Sequence, residues 1–156
     1  MNCDVHGFTD MHTLITNERK VGGAIEATRI RLSTGEEFTY PVITNVDYSG
    51  STFYSIGFIT GDGEHYIVNV HDISMMTSTR HCSVRDLKNS YCKKMKTEQR
   101  IDYLKRLCEV NEGSSTSIFL EEVQAILDDI GFEAIESEHE LSPLNNKFNS
   151  KTIKIA

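Results

Sequence analysis

Between Arg29 and Met76 the chain runs through five short stretches in which apolar and polar residues alternate, joined by tight turn signals. A period of two sends successive side chains to opposite faces of an extended strand, so this region has to fold as sheet. Ile30 and Leu32 alternate with Arg29 and Arg31, and Phe38 and Tyr40 follow the turn at Ser33-Thr34-Gly35. Phe58-Ile59 leads into Gly61-Asp62-Gly63, whose glycine and aspartate supply the positive φ angles of a hairpin. Tyr66, Val68 and Val70 then share one face, expected to be core, while His65, Ile67, Asn69 and His71 share the other. Pro41, which has no N–H to donate, is expected at a strand edge or bulge. Such short strands predict a small, strongly bent antiparallel β-barrel over residues 24–77.

After Met76 the period becomes helical. Ser83 with Asp86 three residues on predicts an N-terminal cap, followed by Val84, Leu87, Tyr91 and Met95 at helix spacing. A second helical stretch carries Ile101, Leu104, Leu107 and Cys108, and ends at Glu112-Gly113-Ser114-Ser115. A third, from Ser117 to Ile130, lines Phe119, Val123, Ile126, Leu127 and Ile130 on one side, with Glu121, Glu122, Asp128 and Asp129 on the other and Gly131 as C-terminal cap. Phe132 to Ile135 is expected to add a short strand, and Asn145 to Ala156 an edge strand or tail. Ahead of the barrel, residues 1–23 read as a polar segment with one or two helical turns over His12 to Lys20 and a hinge at Gly22-Gly23. The expected class is therefore α+β. A barrel over 24–77 is followed by an extension of two to three helices over 78–135, packed on the barrel, and a tail or edge strand over 136–156.

Charge sharpens this picture. The formal net charge of −7 favours solubility and opposes general avidity for nucleic acid or acidic membrane. The average conceals a basic island: residues 78–106 hold nine Lys and Arg against three Asp and Glu, between two acidic flanks. The ordinary reading of that island is a solvated helix face paired with the flanks, and the sharper reading is a phosphate-contacting surface. No apolar run reaches the roughly 20 residues of a membrane span. Residues 1–14, with Asp4 and Asp10 and no basic lead, do not read as a secretory signal, so a cytoplasmic protein is expected. Cys3, Cys82, Cys92 and Cys108 have no paired spacing and read as free thiols.

No catalytic or metal-binding pattern in the sequence rises above background. Cys3, His6 and His12 with Asp4 and Asp10, and His65, His71 and His81 with Cys82, contain metal-ligand types, but their spacing matches no zinc site. Gly61-Asp62-Gly63 precedes no helix that could offer amides to a phosphate, and no serine sits in a Gly-x-Ser-x-Gly elbow. The expectation is a non-enzymatic protein without cofactor or metal.

The runs Phe38-Thr39-Tyr40-Pro41-Val42-Ile43, Ser51-Thr52-Phe53-Tyr54-Ser55-Ile56-Gly57-Phe58 and His65-Tyr66-Ile67-Val68-Asn69-Val70-His71-Asp72-Ile73 resemble the WYL domain of bacterial transcription regulators. Arg29-Ile30-Arg31-Leu32-Ser33-Thr34-Gly35 and Val70-His71-Asp72-Ile73-Ser74-Met75-Met76 are similar to Sm-like proteins. Both families share an SH3-like five-stranded barrel, so the resemblance, over residues 24–76, implies that fold and a role in transcription or RNA regulation. This chain departs from the WYL pattern in two places. It has Phe53-Tyr54-Ser55 for Trp-Tyr-Leu, and Tyr66, Asn69 and Asp72 where that family carries arginines.

Two functions follow as expectations. In the first, barrel and island bind a nucleic acid or nucleotide-like ligand, with Tyr48, Phe53 and Tyr54 for stacking and Arg80, Arg85, Lys88, Lys93, Lys94, Lys96 and Arg100 for phosphates. In the second, the protein is an inhibitor or adaptor that docks on another protein through Glu121, Glu122, Asp128 and Asp129 or through a barrel edge. Thr52 to Ile59 and Glu64 to Ile73 are the candidate edges, Pro41 blocks one pairing, and a monomer or dimer is expected rather than an Sm-like ring.

Overall fold

The structure, a computed structural model, describes residues 2–113 and 116–144. The strand or tail expected over 145–156 lies outside the described residues. The chain divides into two compact units, residues 1–94 and 95–156. The fold is mixed α+β, with antiparallel sheets in the first unit and helices in the second.

Among the described residues nine strands build the first unit: β1 (Cys3–Asp4), β2 (Ala24–Glu26), β3 (Arg29–Leu32), β4 (Glu37–Thr39), β5 (Val42–Ser49), β6 (Thr52–Ile59), β7 (His65–Asn69), β8 (Ile73–Thr77) and β9 (Arg80–Cys82). They pair into a six-stranded sheet of order β1-β9-β2-β5-β6-β7 and a three-stranded sheet of order β4-β3-β8, and neither sheet closes on itself. The two sheets share chain direction at three corners. β2 and β3 are separated only by Ala27-Thr28, β4 and β5 by Tyr40-Pro41, and β8 and β9 by Ser78-Thr79, so each pair is one long strand divided where it changes sheet. The corners lie side by side: Ala27 N–H donates to the Pro41 carbonyl (3.1 Å), Tyr40 N–H to that of Thr28 (3.0 Å) and Thr28 N–H to that of Thr77 (2.8 Å). Pro41 thus sits at a corner, where the ladder does not need its missing donor. On β3 and β4, Arg31 Nε donates to Glu37 Oε1 across the strands (2.7 Å). That bond holds the Glu37 carboxyl below its ordinary range.

Met11, Ile25, Ile30, Ile43, Val46, Ile56 and Phe58 form the buried centre of this unit, with Phe53, Tyr66, Val68 and Val70 packed against it. The expected inner face of β7 is therefore inside. His65, Ile67 and Asn69 are exposed. Between β5 and β6 the register slips so that Asp47 faces Ser55 and Tyr48 faces Phe53, leaving Tyr54 as the extra residue of a bulge. The slip turns Phe53 inward and Tyr54 outward.

Four expectations need correction in this unit. Residues 1–23 are not merely a polar lead, because α1 (Phe8–Thr16) buries Met11 and packs Phe8, Leu14 and Ile15 on the core. The helix starts before His12 since Phe8, Met11 and Ile15 already form a stripe of three- and four-residue steps. A four-residue helix, α2 (Glu18–Val21), follows. Second, sheet continues past residue 77 into β9, so Arg80 stands on a strand. Third, β6 lies between β5 and β7 and is no edge, whereas β7 is one. Fourth, no helix starts at Ser83. A 3₁₀ turn over Val84–Asp86 precedes α3 (Ser90–Val110), a single helix of 21 residues. Asn89 is its cap, with Oδ1 accepting from Cys92 N–H at 3.0 Å. Lys96, Thr97, Glu98, Gln99 and Arg100 contain no breaker, which is why one helix runs where two were expected.

In the second unit, the later part of α3 and α4 (Ser117–Ile130) carry the helical mass. Thr116 Oγ1 caps α4 by accepting from Phe119 N–H at 3.4 Å, and Gly131, at φ 86°, ends it as expected. Phe119, Val123, Ile126, Leu127 and Ile130 are buried, together with Ile135 and Leu141. Residues Phe132–Ile135 form a 3₁₀ turn instead of a strand, because the left-handed Gly131 folds the chain back and Ile135 is drawn inside. Among the described residues no helix is long and apolar enough to cross a membrane.

Candidate functional site

The three corners of the first unit surround a cavity of about 110 Å³ lined by residues that include Thr28, Tyr40, Ser78, Arg80 and Lys88. Tyr40 and Ser78, both at φ 50°, are the two non-glycine residues with positive φ among the described residues. A left-handed L residue is disfavoured by roughly 1–2 kcal/mol, so two of them at one cavity mark a place where surrounding structure imposes the backbone. The imposing group at Tyr40 is Asn89, whose Nδ2 donates to the Tyr40 carbonyl (2.9 Å) and to the Ile59 carbonyl (3.0 Å).

Glu26 also lines the cavity. It is buried, in a strand whose three residues are all buried. Lys88 N–H donates to both its carboxylate oxygens (3.1 Å each), and Asn89 N–H donates to Oε2 (2.8 Å). The charge is thereby satisfied by backbone and stays within the fold. Arg80 and Lys88, both exposed, line the cavity together with the carboxylates Glu26 and Asp86, so its charged groups balance. Lys88 Nζ stands 5.9 Å from the centre of the Tyr40 ring, a cation–π distance. Arg80 Nε lies 4.0 Å from Asp4 Oδ1, an exposed and long contact that contributes little. Asp86 also lines the cavity and accepts from Asn2 Nδ2 at 3.4 Å.

The sequence-predicted residues separate by unit. Arg80, Arg85, Lys88, Lys93 and Lys94 fall in the first unit and are exposed. Lys96 and Arg100 belong to the second. Arg100 Nε pairs with Asp129 Oδ2 at 3.3 Å, in a largely buried position. Asp129 is buried, so it leaves the expected solvated acidic face. Of the other three, Glu122 accepts from the Tyr103 hydroxyl (2.6 Å) and Asp128 from Gln124 Nε2 (2.8 Å), while Glu121 is exposed. Among the aromatic candidates, Phe53 packs against Phe8 with ring centres 5.8 Å apart. Tyr48 meets His12 edge-on at 4.7 Å, and Tyr54 is exposed at its bulge. Sequence reasoning missed Glu26, Tyr40, Ser78 and Asn89. A carboxylate between Ile25 and Ala27 in a strand, and a residue before proline, were the available signals.

No group of three or more His, Cys, Asp or Glu among the described residues is placed to hold a metal ion. Cys3 is exposed, Cys82 and Cys92 are buried, and Cys108 lies between. Burial raises the Cys108 thiol above its ordinary pKa. Since the thiolate is the reactive form, native iodoacetamide labelling is expected to mark Cys3 first and Cys108 more slowly. Cys82 and Cys92 should be modified only in denaturant. Peptide mass mapping over a time course checks this order, and early modification of Cys92 would contradict the placement of the α3 cap.

No protein-family model, no curated protein and no solved structure matches the chain.

Proposed function

We propose that the protein is a non-enzymatic regulatory binding protein of the cytoplasm, built on an SH3-like barrel. Its first unit holds a nucleic acid or nucleotide-like ligand through the basic residues between Arg80 and Lys94. Three long strands divided at adjacent corners, and a 3₁₀ turn over Val70–Asp72 joining β7 to β8, support the barrel reading. The observation that carries the function is that Arg80 and Lys88 line one cavity beside the Tyr40 ring. Cations on an aromatic-edged cavity suit phosphate oxygens, with the ring available to a sugar or base.

Anisotropy of labelled single-stranded and duplex oligonucleotides tests it at about 50 and 200 mM salt. If four of the five cations contact a single strand, affinity should fall on the order of 50-fold between those conditions. The double variant Arg80→Glu, Lys88→Glu should abolish binding at both. Indifference to every oligonucleotide at the lower salt would overturn the proposal.

A second reading, docking of another protein on a barrel edge, is favoured by β7. That strand is a sheet edge, has no Lys, Arg, Asp or Glu from His65 to Asn69, and exposes 76% of Ile67. Natural edges are ordinarily guarded by such charges. The acidic face of α4 is favoured less, since Glu122, Asp128 and Asp129 already serve contacts inside their own unit.

A further inference from the structure

Resting on the second reading, that β7 is a docking edge, we infer that the partner it takes is a second copy of this chain, in a two-fold dimer whose β7 strands pair antiparallel. Four strands are sheet edges among the described residues: β1, β7, β4 and β8. Three of them carry a feature that discourages further pairing. β1 is two residues long and ends in Asp4, and β4 is three residues long and holds Glu37. β8 is broken by a bulge, since Arg31 faces Met75 and Leu32 faces Ile73, with Ser74 left over. The Ser74 hydroxyl donates to the Arg31 carbonyl at 3.1 Å. β7 has none of these devices. It is five residues long, keeps an unbroken register against β6 from His65 opposite Ile59 to Asn69 opposite Ser55, and carries no Lys, Arg, Asp or Glu.

The order of residues along β7 selects the partner. Antiparallel pairing about a two-fold axis at Ile67 sets Ile67 against Ile67 of the partner subunit, Tyr66 against Val68 and His65 against Asn69. This is the one register that pairs all five residues. Apolar side chains meet apolar ones on both faces, and the imidazole of His65 meets the amide of Asn69, each able to donate and accept. Ile67, 76% exposed, gains the cover it lacks. Another protein's strand would have to supply this uncharged, face-matched pattern, which β7 already has in itself. In the same register Glu64 falls opposite Val70, so no like charges are opposed along the strand. Asp62 and Asp72 lie in the turns at its two ends, and each copy carries a formal charge of −7. Repulsion between copies therefore works against the dimer, and salt should strengthen it, the reverse of its effect on nucleic-acid binding.

Sedimentation velocity of the full chain tests this. One strand pair is a small interface, so over about 5 to 500 μM the monomer should pass to dimer with a dissociation constant on the order of 10–100 μM. Association should be tighter at high salt than at low salt. Ile67→Lys and Ile67→Glu, both at an exposed position, should each weaken it by at least about tenfold, because the two-fold axis sets like charges face to face. Mixed in equal amounts, the two variants should associate at least as tightly as the unaltered chain, a rescue that requires residue 67 to face itself. Met75→Lys, on the exposed face of β8, should change nothing. Circular dichroism confirms that each variant is folded. A dimer that survives Ile67→Lys, or a mixture no tighter than either variant alone, would overturn the proposal. A chain that stays monomeric throughout would overturn it too, and a labelled peptide of residues 64–70 then decides the reading beneath it. Peptide binding that slows hydrogen exchange in β7 would leave the docking edge standing without the second copy. No association of chain or peptide would overturn both.

Discussion

Replacing Glu26 by alanine is expected to destabilise the first unit by about 3 kcal/mol or more, a large share of the 5–15 kcal/mol that holds a domain together. The carboxylate accepts two N–H donors, from Lys88 and Asn89, and Asn89 is itself buried. Removing a charged acceptor strands both donors, each at roughly 1–3 kcal/mol. The loss should appear in urea denaturation followed by tyrosine fluorescence or circular dichroism, since the chain has no tryptophan. Glu26→Gln keeps one acceptor oxygen and should cost less than half as much. If alanine and glutamine behave alike, with losses below about 1 kcal/mol, the carboxylate does not organise the approach to α3.

The second large effect is expected at Gly23, which immediately precedes β2 in the six-stranded sheet. Its φ is +69°, and a Cβ added there would lie 2.5 Å from the Cys82 carbonyl oxygen and 2.8 Å from His81 Nε2. Neither neighbour can move cheaply. The carbonyl belongs to β9, and His81 is buried with Nε2 donating to the Gly22 carbonyl at 2.9 Å while Nδ1 has no hydrogen-bond partner among the described residues. Backbone strain of roughly 1–2 kcal/mol and overpacking of roughly 1–3 kcal/mol should add for Gly23→Ala. Gly35→Ala is the comparison, because that residue also has positive φ (+94°) but nothing within 4 Å of an added Cβ. It carries the strain without the collision. A Gly23→Ala midpoint no lower than that of Gly35→Ala would show that the close approach is absent in solution. The Gly22-Gly23 pair, expected as a hinge, is on this argument a tightly packed passage.

Local patterns were legible in the sequence and long-range geometry was not, for physical reasons. Alternation across β7 and the stripe of α4 were legible because each face is defined by several consecutive repeats, and Gly131 closes α4 by a mechanism confined to one residue. The corners were not legible. Thr28, Tyr40 and Ser78 meet only after strands distant in sequence have paired, and nothing at residue 78 by itself announces a left-handed serine. The start of α3 was misplaced because Ser83 and Asp86 offer local capping chemistry, while Asn89 wins through bonds to Tyr40 and Ile59 that no short window contains. Basic residues were recognised as a group by count alone. Arg80 and Lys88 share a cavity whereas Arg100 is paired to Asp129, a distinction of geometry and not of composition.

Asn89 also bears on the order of events in folding. One amide joins a strand corner 49 residues back, a strand end 30 residues back and the helix turn three residues ahead. Loops of that length must close before two of its three partners exist, and the entropy of closure is met before those bonds return anything. The helical propensity of residues 90–110 is available early, but the point at which that helix begins is settled by the sheet. Its first turn therefore takes shape with tertiary structure, late in the search, and the chain cannot commit to the cavity wall at Tyr40 without committing at the same moment to where α3 starts.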